Sequence, residues 1–334
     1  MLIEKILQNC AQNGGKAAII DSHSGDTISY SSLGLAIESS AENFEHQDIH
    51  AIASIGEPDM KSLPGCLSIG LRSGTWIPLA DTSQLEFLKT NLVGHTNLHV
   101  IDSRLNKSYT LPLHSTQATP KPNAFLITFS SGTTGNAKGV IIDQPTKFAR
   151  TQQAIDLFGT TQNDVFLSSS PVHHSLGQRH LFMSLLSGAT LIRNVPFTSE
   201  GWFSSVSRYR PTFAIPVSTQ VKLLEHRLLD FKKALRSFRI LAMSSAPCSP
   251  ELKHFLFTQD IELWETYGCT ETAFATAIKL DNSSHIDHVG SPVSGVEIQI
   301  DEQSSEIKIK TPYLCQGYLA QDALFQSSFD KKGF

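Results

Sequence analysis

Ten consecutive residues, Ser130-Ser131-Gly132-Thr133-Thr134-Gly135-Asn136-Ala137-Lys138-Gly139, combine three glycines, four hydroxyls and one lysine. Glycines let backbone N–H groups close in on an anion as a concave nest. Hydroxyls add neutral donors, and an ammonium adds a point charge suited to phosphate. The chemistry this supports is the holding of a polyphosphate. It is not a Walker loop, because the Gly-x-x-x-x-Gly-Lys-Ser/Thr spacing is absent. The plainer reading is a flexible turn after a buried strand, and the density of matching residue types favours the anion cradle over it. A second cluster, Tyr267-Gly268-Cys269-Thr270-Glu271, gathers a ring, a hydroxyl and a carboxylate. Alone, Tyr267 would read as a core aromatic and Glu271 as a solvated surface acid. Other chemistries find less support. His173, His174, His180, His285 and His288 lack His-Glu-x-x-His or Cys/His spacing, so no metal centre is expected of them. No Gly-x-Ser-x-Gly is present, and Cys248 and Cys269 lack a recognisable partner base.

The elements that must hold these residues follow from apolar patterning. Short runs at Ala51–Ile55, Thr75–Leu79, Leu98–Ile101, Phe125–Phe129, Val165–Ser168, Thr190–Arg193, Thr212–Ile215 and Ile240–Ala242 read as buried strands. Helical patterns such as Leu85–Leu92, Phe148–Phe158 and Gln220–Leu229 separate them. This alternation predicts a mostly parallel sheet covered by helices. Leu2, Ile3, Ile6 and Cys10 predict an amphipathic N-terminal helix. Ala17–Ile20 and Thr27–Tyr30 predict a hairpin, with Ser31 capping the helix that carries Leu33 and Ile37. Val296–Ile300 and Glu306–Lys310 alternate with period two and predict antiparallel strands. The polar stretch His114–Asn123 reads as a linker. The expected class is α/β: two mostly parallel α/β lobes packed together, at 1–122 and 123–284, plus a small antiparallel β region at 285–334.

Length and composition agree. The 334 residues are roughly two domains' worth. A net charge of −4, from 27 basic and 31 acidic residues, gives no reason to expect a nucleic-acid or anionic-membrane partner. Five scattered cysteines without a Cys-x-x-Cys pair fit a reducing cytoplasm, where this protein is expected. No run is long enough for a membrane span.

The Ser130–Gly139 loop resembles the signature loop of the adenylate-forming superfamily: acyl-CoA synthetases, aryl-acid ligases, peptide-synthetase adenylation domains and luciferases. Only that motif's proline departs, replaced by Ala137. Further matches follow in the family's order. They are Gly74–Leu79, Pro171-Val172-His173-His174-Ser175-Leu176-Gly177, Ser244-Ser245-Ala246-Pro247, Tyr267–Glu271, Val289–Glu297 and Glu306–Pro312, ending near Gly317-Tyr318. They cover nearly the whole chain.

The resemblance implies ATP-dependent activation of a small carboxylic acid as an acyl adenylate with release of pyrophosphate. Thioester formation on CoA or on the phosphopantetheine of an acyl or peptidyl carrier protein would follow. It implies that Ser130, Ser131, Gly132, Thr133, Thr134, Gly135 and Lys138 hold the β- and γ-phosphates. Thr270 would bond the α-phosphate, and Glu271 would hold Mg2+, a hard cation that takes oxygen ligands. Lys138, Thr270 and Glu271 are thus the expected catalytic residues. Tyr267 would stack on adenine beside Gly268, Ser245 and Ala246, with Glu265 accepting from the adenine amino group. His174, Ser175, Gly177, Ser244 and Ser245 would border the acid. No Asp follows Ser175 to hold an ammonium, so an α-amino acid is not expected, and Ser244, Ser245, Arg179 and His180 hint at a polar or aryl acid. Phe329–Phe334 resembles the family's Asp-Gly-Trp-Phe stretch. The ribose-binding Thr-Gly-Asp, hinge and catalytic lid that should come next are not in the sequence, which implies a truncated chain or the large half of a longer enzyme, with low activity alone. The alternative is a natural lidless protein that binds acyl, nucleotide or carrier-protein partners without catalysis. Intact Lys138, Thr270 and Glu271 argue against it, since a pure binder needs no magnesium carboxylate.

Overall fold

A computed structural model of the chain describes residues 1–92, 97–113, 124–130, 138–225, 227, 232–244, 250–281 and 288–334. Two large sheets dominate. The first runs Gly317–Tyr318, Lys138–Asp143, Ala124–Ser130, Thr75–Leu79, Ala51–Ile55, Asn97–Asp102, Lys107–Pro112. Its four central strands, from Ala124–Ser130 to Asn97–Asp102, are parallel, and the strands added outside them are antiparallel. The second runs Ser291–Pro292, Ala273–Lys279, Glu262–Cys269, Ile240–Ser244, Phe213–Ala214, Val165–Ser168, Thr190–Arg193, Ala17–Asp21, Thr27–Ser29. It is parallel from Glu262–Cys269 through to Ala17–Asp21. Strands such as Ala51–Ile55 and Thr75–Leu79 are buried at every position, as helix-covered parallel strands must be. Glu297–Ile300 and Ile307–Lys310 form the expected antiparallel pair.

Strand membership does not sort at the 122/123 division. Ala17–Asp21 and Thr27–Ser29 join the second sheet, because Ile19, Ile20 and Asp21 pair in parallel with Leu191, Ile192 and Arg193. Ala124–Ser130 joins the first sheet beside Thr75–Leu79, and Gly317–Tyr318 returns from the chain's far end to its edge. Each sheet is thus completed by strands from the other part of the chain. The linker reading of 114–123 lies outside the described residues.

Helices fill the space between the sheets. Phe182, on helix Ser175–Ser187, meets Trp76 and Phe125 of the first sheet edge-on, with ring centroids 6.5 and 6.0 Å away. Phe158, at the end of helix Gln144–Phe158, meets Phe213, Trp264 and Phe274 of the second. The N-terminal helix Leu2–Asn13 buries Leu2, Ile3, Ile6 and Cys10 into the same core, as its periodicity requires. Two local expectations change. Ser29, not Ser31, caps helix Tyr30–His46, accepting from the Ser32 N–H. Helix Gln144–Phe158 begins four residues before Phe148, because Asp143 caps it through the Thr146 N–H and Pro145 suits its first turn. Among the described residues no helix is long and apolar enough to cross a membrane.

Candidate active site

Ser130 ends its strand directly opposite Lys138 in the antiparallel register. The intervening Ser131, Gly132, Thr133, Thr134 and Gly135, and likewise Ser245, Ala246 and His285, lie outside the described residues. The Lys138 Nζ lies 5.1 Å from the centroid of the Tyr318 ring, and the Tyr318 hydroxyl donates to Glu271 Oε1 at 2.9 Å. One tyrosine therefore ties the lysine of the anion loop to the carboxylate of the second motif. The tie exists because Gly317–Tyr318 pairs with Val140 and Ile141, just past Lys138.

The Tyr267–Glu271 motif sits at a tight reversal between Glu262–Cys269 and Ala273–Lys279. A Cβ on Gly268 would stand 1.9 Å from the Ala273 carbonyl oxygen, so only glycine fits the register shift there. Ala273 has φ 64°, a left-handed conformation costing an alanine about 1 kcal/mol. What holds the turn is Arg150 of helix Gln144–Phe158. Its Nε donates to Tyr313 O at 2.7 Å, Nη1 to Thr270 O at 2.9 Å and Nη2 to Glu271 O. A further strap is Cys315 N–H, donating to Glu271 O at 2.8 Å.

His174 is the cap residue of helix Ser175–Ser187. It is exposed, yet partial desolvation holds its imidazole below the usual range. The segment before it is fixed from two sides. Glu57 Oε2 accepts the Val172 N–H at 2.9 Å, and Gln178 Nε2 donates to Val172 O and Thr128 Oγ1. Gly177 is buried, and a Cβ on it would lie 2.1 Å from Pro171 O. Its role is this close approach, and it lines none of the three cavities below. His180 is a satisfied core histidine. Its Nδ1 faces Leu176 O at 3.1 Å and its Nε2 accepts from the Ile215 N–H at 3.1 Å, so it does not face an acid.

Three cavities meet here. One of about 410 Å³ is lined by Ser130, His174, Gln220 and, at its boundary, Ser175, Leu176 and Thr270. The same boundary residues line a second of about 220 Å³, completed by Arg179, Ser244 and Phe274. A third of about 710 Å³ is bordered by Tyr267, Glu271, Lys308, Tyr318 and Asp330. Ser130, His174, Ser175, Ser244, Gly268, Thr270, Tyr267 and Glu271 are thus gathered at one junction, with Lys138 tied to it through Tyr318. Glu265 is buried beneath it on the strand that carries Tyr267, and is not among the lining residues. A magnesium ion keeps several waters and takes one or two carboxylates plus substrate phosphates. Glu271 fits that demand, with Oε1 oriented by Tyr318 and its side chain at the largest of these three cavities.

The cations behind the junction carry no motif signal. Lys147 and Arg150 share the buried face of one helix, one turn apart. Lys147 Nζ donates to Gln178 Oε1 at 3.2 Å and lies 5.0 Å from the Phe182 ring centroid. Burial, with the charges of Arg150 and Arg179 adding, pulls its ammonium well below the ordinary value. The neighbours of Lys147 and Arg150 on that buried face, among them Gln144, Thr146, Thr151 and Gln153, are mostly polar too, so no apolar stripe marks the face in the sequence.

A family model described as AMP-binding enzyme matches residues 75–319. The chain is 26% identical over 223 residues to the 2-succinylbenzoate--CoA ligase of Bacillus licheniformis, covering 64% of this chain and 46% of the relative. It is 25% identical to 4-coumarate--CoA ligase-like 9 of Arabidopsis thaliana, covering 95% of this chain and 65% of that one. It thus spans less than half the length of the first relative. In fold it is similar to ATP-bound MatB from Rhodopseudomonas palustris, with TM-score 0.80, 20% identity, and 98% of this chain and 75% of that one covered. It is likewise similar to the AMP complex of O-succinylbenzoate Coenzyme A Synthetase (MenE) from Bacillus subtilis, with TM-score 0.80, 19% identity, and coverages of 98% and 92%. With most of its length matched by the family model and both sheets matched by these folds, the chain belongs to the AMP-binding enzyme family.

Proposed function

We propose that this chain carries the acid- and ATP-binding body of an acid–thiol ligase. It activates a small carboxylic acid as its acyl adenylate, with pyrophosphate leaving, before transfer to CoA or to the phosphopantetheine of a carrier protein. The observation that carries this reading is the convergence of Lys138, Tyr318 and Glu271 beside Thr270, one of three residues shared by two cavities. A carboxylate attacking the α-phosphorus needs charge neutralised and geometry held more than it needs covalent help. Lys138 and the Ser130–Gly135 loop receive the β- and γ-phosphates, Thr270 donates to the α-phosphate, and Tyr267 offers its exposed ring to adenine. Glu271 holds Mg2+, which supplies charge neutralisation on the phosphate oxygens. His174, Ser175 and Ser244 border the acid. Acid-dependent exchange of labelled pyrophosphate into ATP tests the reading, using the longest natural form of the protein. Exchange that requires an acid supports it. Nucleotide or acid binding with no exchange for any acid rejects it in favour of a binding module.

A further inference from the structure

Among the described residues Arg179 has no carboxylate or carbonyl partner. It projects from helix Ser175–Ser187 one turn after Ser175 and Leu176, and with them lines the cavity of about 220 Å³. Its Cζ lies 3.4 Å from the centroid of the Phe274 ring, so one guanidinium face is stacked on an aromatic wall. Stacking occupies the face and leaves the N–H edge to find acceptors. Among the described residues its Nη1 is buried with none. No carboxylate pairs with it there, and the charges nearest in kind are like ones: Arg150 lowers its pKa further, after burial has done most of the work, to about 9. Arg150 is held by three carbonyls and Lys147 by Gln178 and a ring. Arg179 alone of the three faces a cavity. An uncompensated guanidinium in such a place is a standing penalty that an anion would relieve.

The anion is not the reacting carboxylate. That group must reach the α-phosphorus beside Thr270, at the boundary of the two cavities, whereas Arg179, Ser244 and Phe274 line only the smaller one. A guanidinium clamped on the nucleophile would also stabilise the ground state and slow attack. We infer that the acid activated here is a small diacid, whose second, non-reacting carboxylate is received by Arg179 within the smaller cavity. A volume of about 220 Å³ corresponds to roughly seven water-sized groups, enough for a short linker and a terminal carboxylate. Ser244 supplies a hydroxyl beside it. This assignment rests on the adenylation reading and makes Arg179 a specificity-determining residue.

The test pairs each diacid with a nearly isosteric acid lacking the second charge: succinate, glutarate and phthalate against their monomethyl esters, in pyrophosphate exchange. The wild-type protein should prefer at least one diacid over its half-ester by about thirtyfold or more in kcat/KM, mostly through KM, the size expected for a desolvated charge pair. Arg179→Met should collapse that ratio towards one, and Arg179→Lys, which keeps the charge without the fork, should restore part of it. Half-esters that exchange as well as every diacid overturn the inference using wild-type protein alone, whatever the variants' folding. A ratio that survives Arg179→Met, or equal losses for both acid classes, overturns it as well. Exchange with monocarboxylic acids but with none of the diacids overturns the inference and leaves adenylation standing, whereas no exchange with any acid rejects adenylation itself and the inference with it.

Discussion

Replacing Arg150 with Met tests whether the clamp on Thr270 and Glu271 is what sets the catalytic turn. The substitution keeps most of the aliphatic stem and removes three donors to Tyr313 O, Thr270 O and Glu271 O. Each charge-assisted bond is worth about 1.5–3 kcal/mol, for a gross loss of roughly 5–9 kcal/mol. Releasing a guanidinium from a buried site returns several kcal/mol of desolvation, leaving a net loss of about 2–4 kcal/mol. That is a large part of the ~5–15 kcal/mol that holds a typical domain together. It should appear as a lower urea midpoint at unchanged slope. Per folded molecule, pyrophosphate exchange should fall by about tenfold or more, because misplacing a positioned group by even ~1 Å costs on that scale. Arg150→Lys should fall between, since an ammonium can reach some of the carbonyls but not all three. An Arg150→Met protein with the wild-type midpoint refutes the energetics. One that is destabilised yet exchanges normally per folded molecule refutes the positioning role.

Three further outcomes follow from single contacts. Tyr318→Phe keeps the ring beside Lys138 and removes only the hydroxyl on Glu271 Oε1, so stability should fall by no more than about 3 kcal/mol, the upper end for a bond to a charged group. The magnesium concentration for half-maximal exchange should rise, and an unchanged magnesium titration rejects the tie. Gly177→Ala forces a Cβ to within 2.1 Å of Pro171 O and should destabilise the protein by about 1–3 kcal/mol in urea titrations, the range for overpacking. An acid-stability profile tests His180, whose pKa burial lowers to about 4 from 6.5. The unfolded chain therefore binds the extra proton first. The contribution of His180 is complete above pH 6.5 and is lost as the pH falls towards 4, by up to about 3 kcal/mol. The difference between wild-type and His180→Gln stabilities should shift across that window, and parallel curves would contradict the burial argument.

What the sequence made legible was local. Runs such as Ala51–Ile55 and Thr190–Arg193 announce strands buried on both faces, and Leu2–Cys10 announces a helix, because each pattern is written in adjacent residues. Lys138–Asp143, Glu262–Cys269 and Ala273–Lys279 went unread as strands. In Glu262–Cys269, the polar Glu265 and Thr266 are buried and Tyr267 is exposed, so no apolar alternation marks the strand. Pairing was also invisible: nothing local tells Ala17–Asp21 to lie beside Thr190–Arg193. The same divide runs through the site. Ser130, Lys138, Thr270 and Glu271 stood out because their motifs are contiguous. Arg150, Tyr318 and Arg179 act through residues far away in sequence, and only the fold supplies their partners.

The sheet exchange explains why the site lies where it does. The first sheet contributes Ser130, Lys138 and Tyr318, the second contributes Ser244 and Tyr267, and the helix layer between them contributes Ser175, Arg150 and Arg179. A junction built this way brings donors from three layers to one place, with backbone strain at the Ala273 turn. It also concentrates positive charge: Lys147, Arg150 and Arg179 are packed together with no ion pair among the described residues. Arg150 offsets its burial through three carbonyl bonds, whereas the unpaired Nη1 of Arg179 is a net cost. An anionic ligand that pairs with Arg179 relieves that cost, and its binding raises stability by RT ln(1 + [L]/Kd). On the adenylation proposed above, a nucleotide and an acid that meet this charge would stabilise the fold on binding, so thermal midpoints raised by the activated acid but not by its half-ester would trace the effect to Arg179.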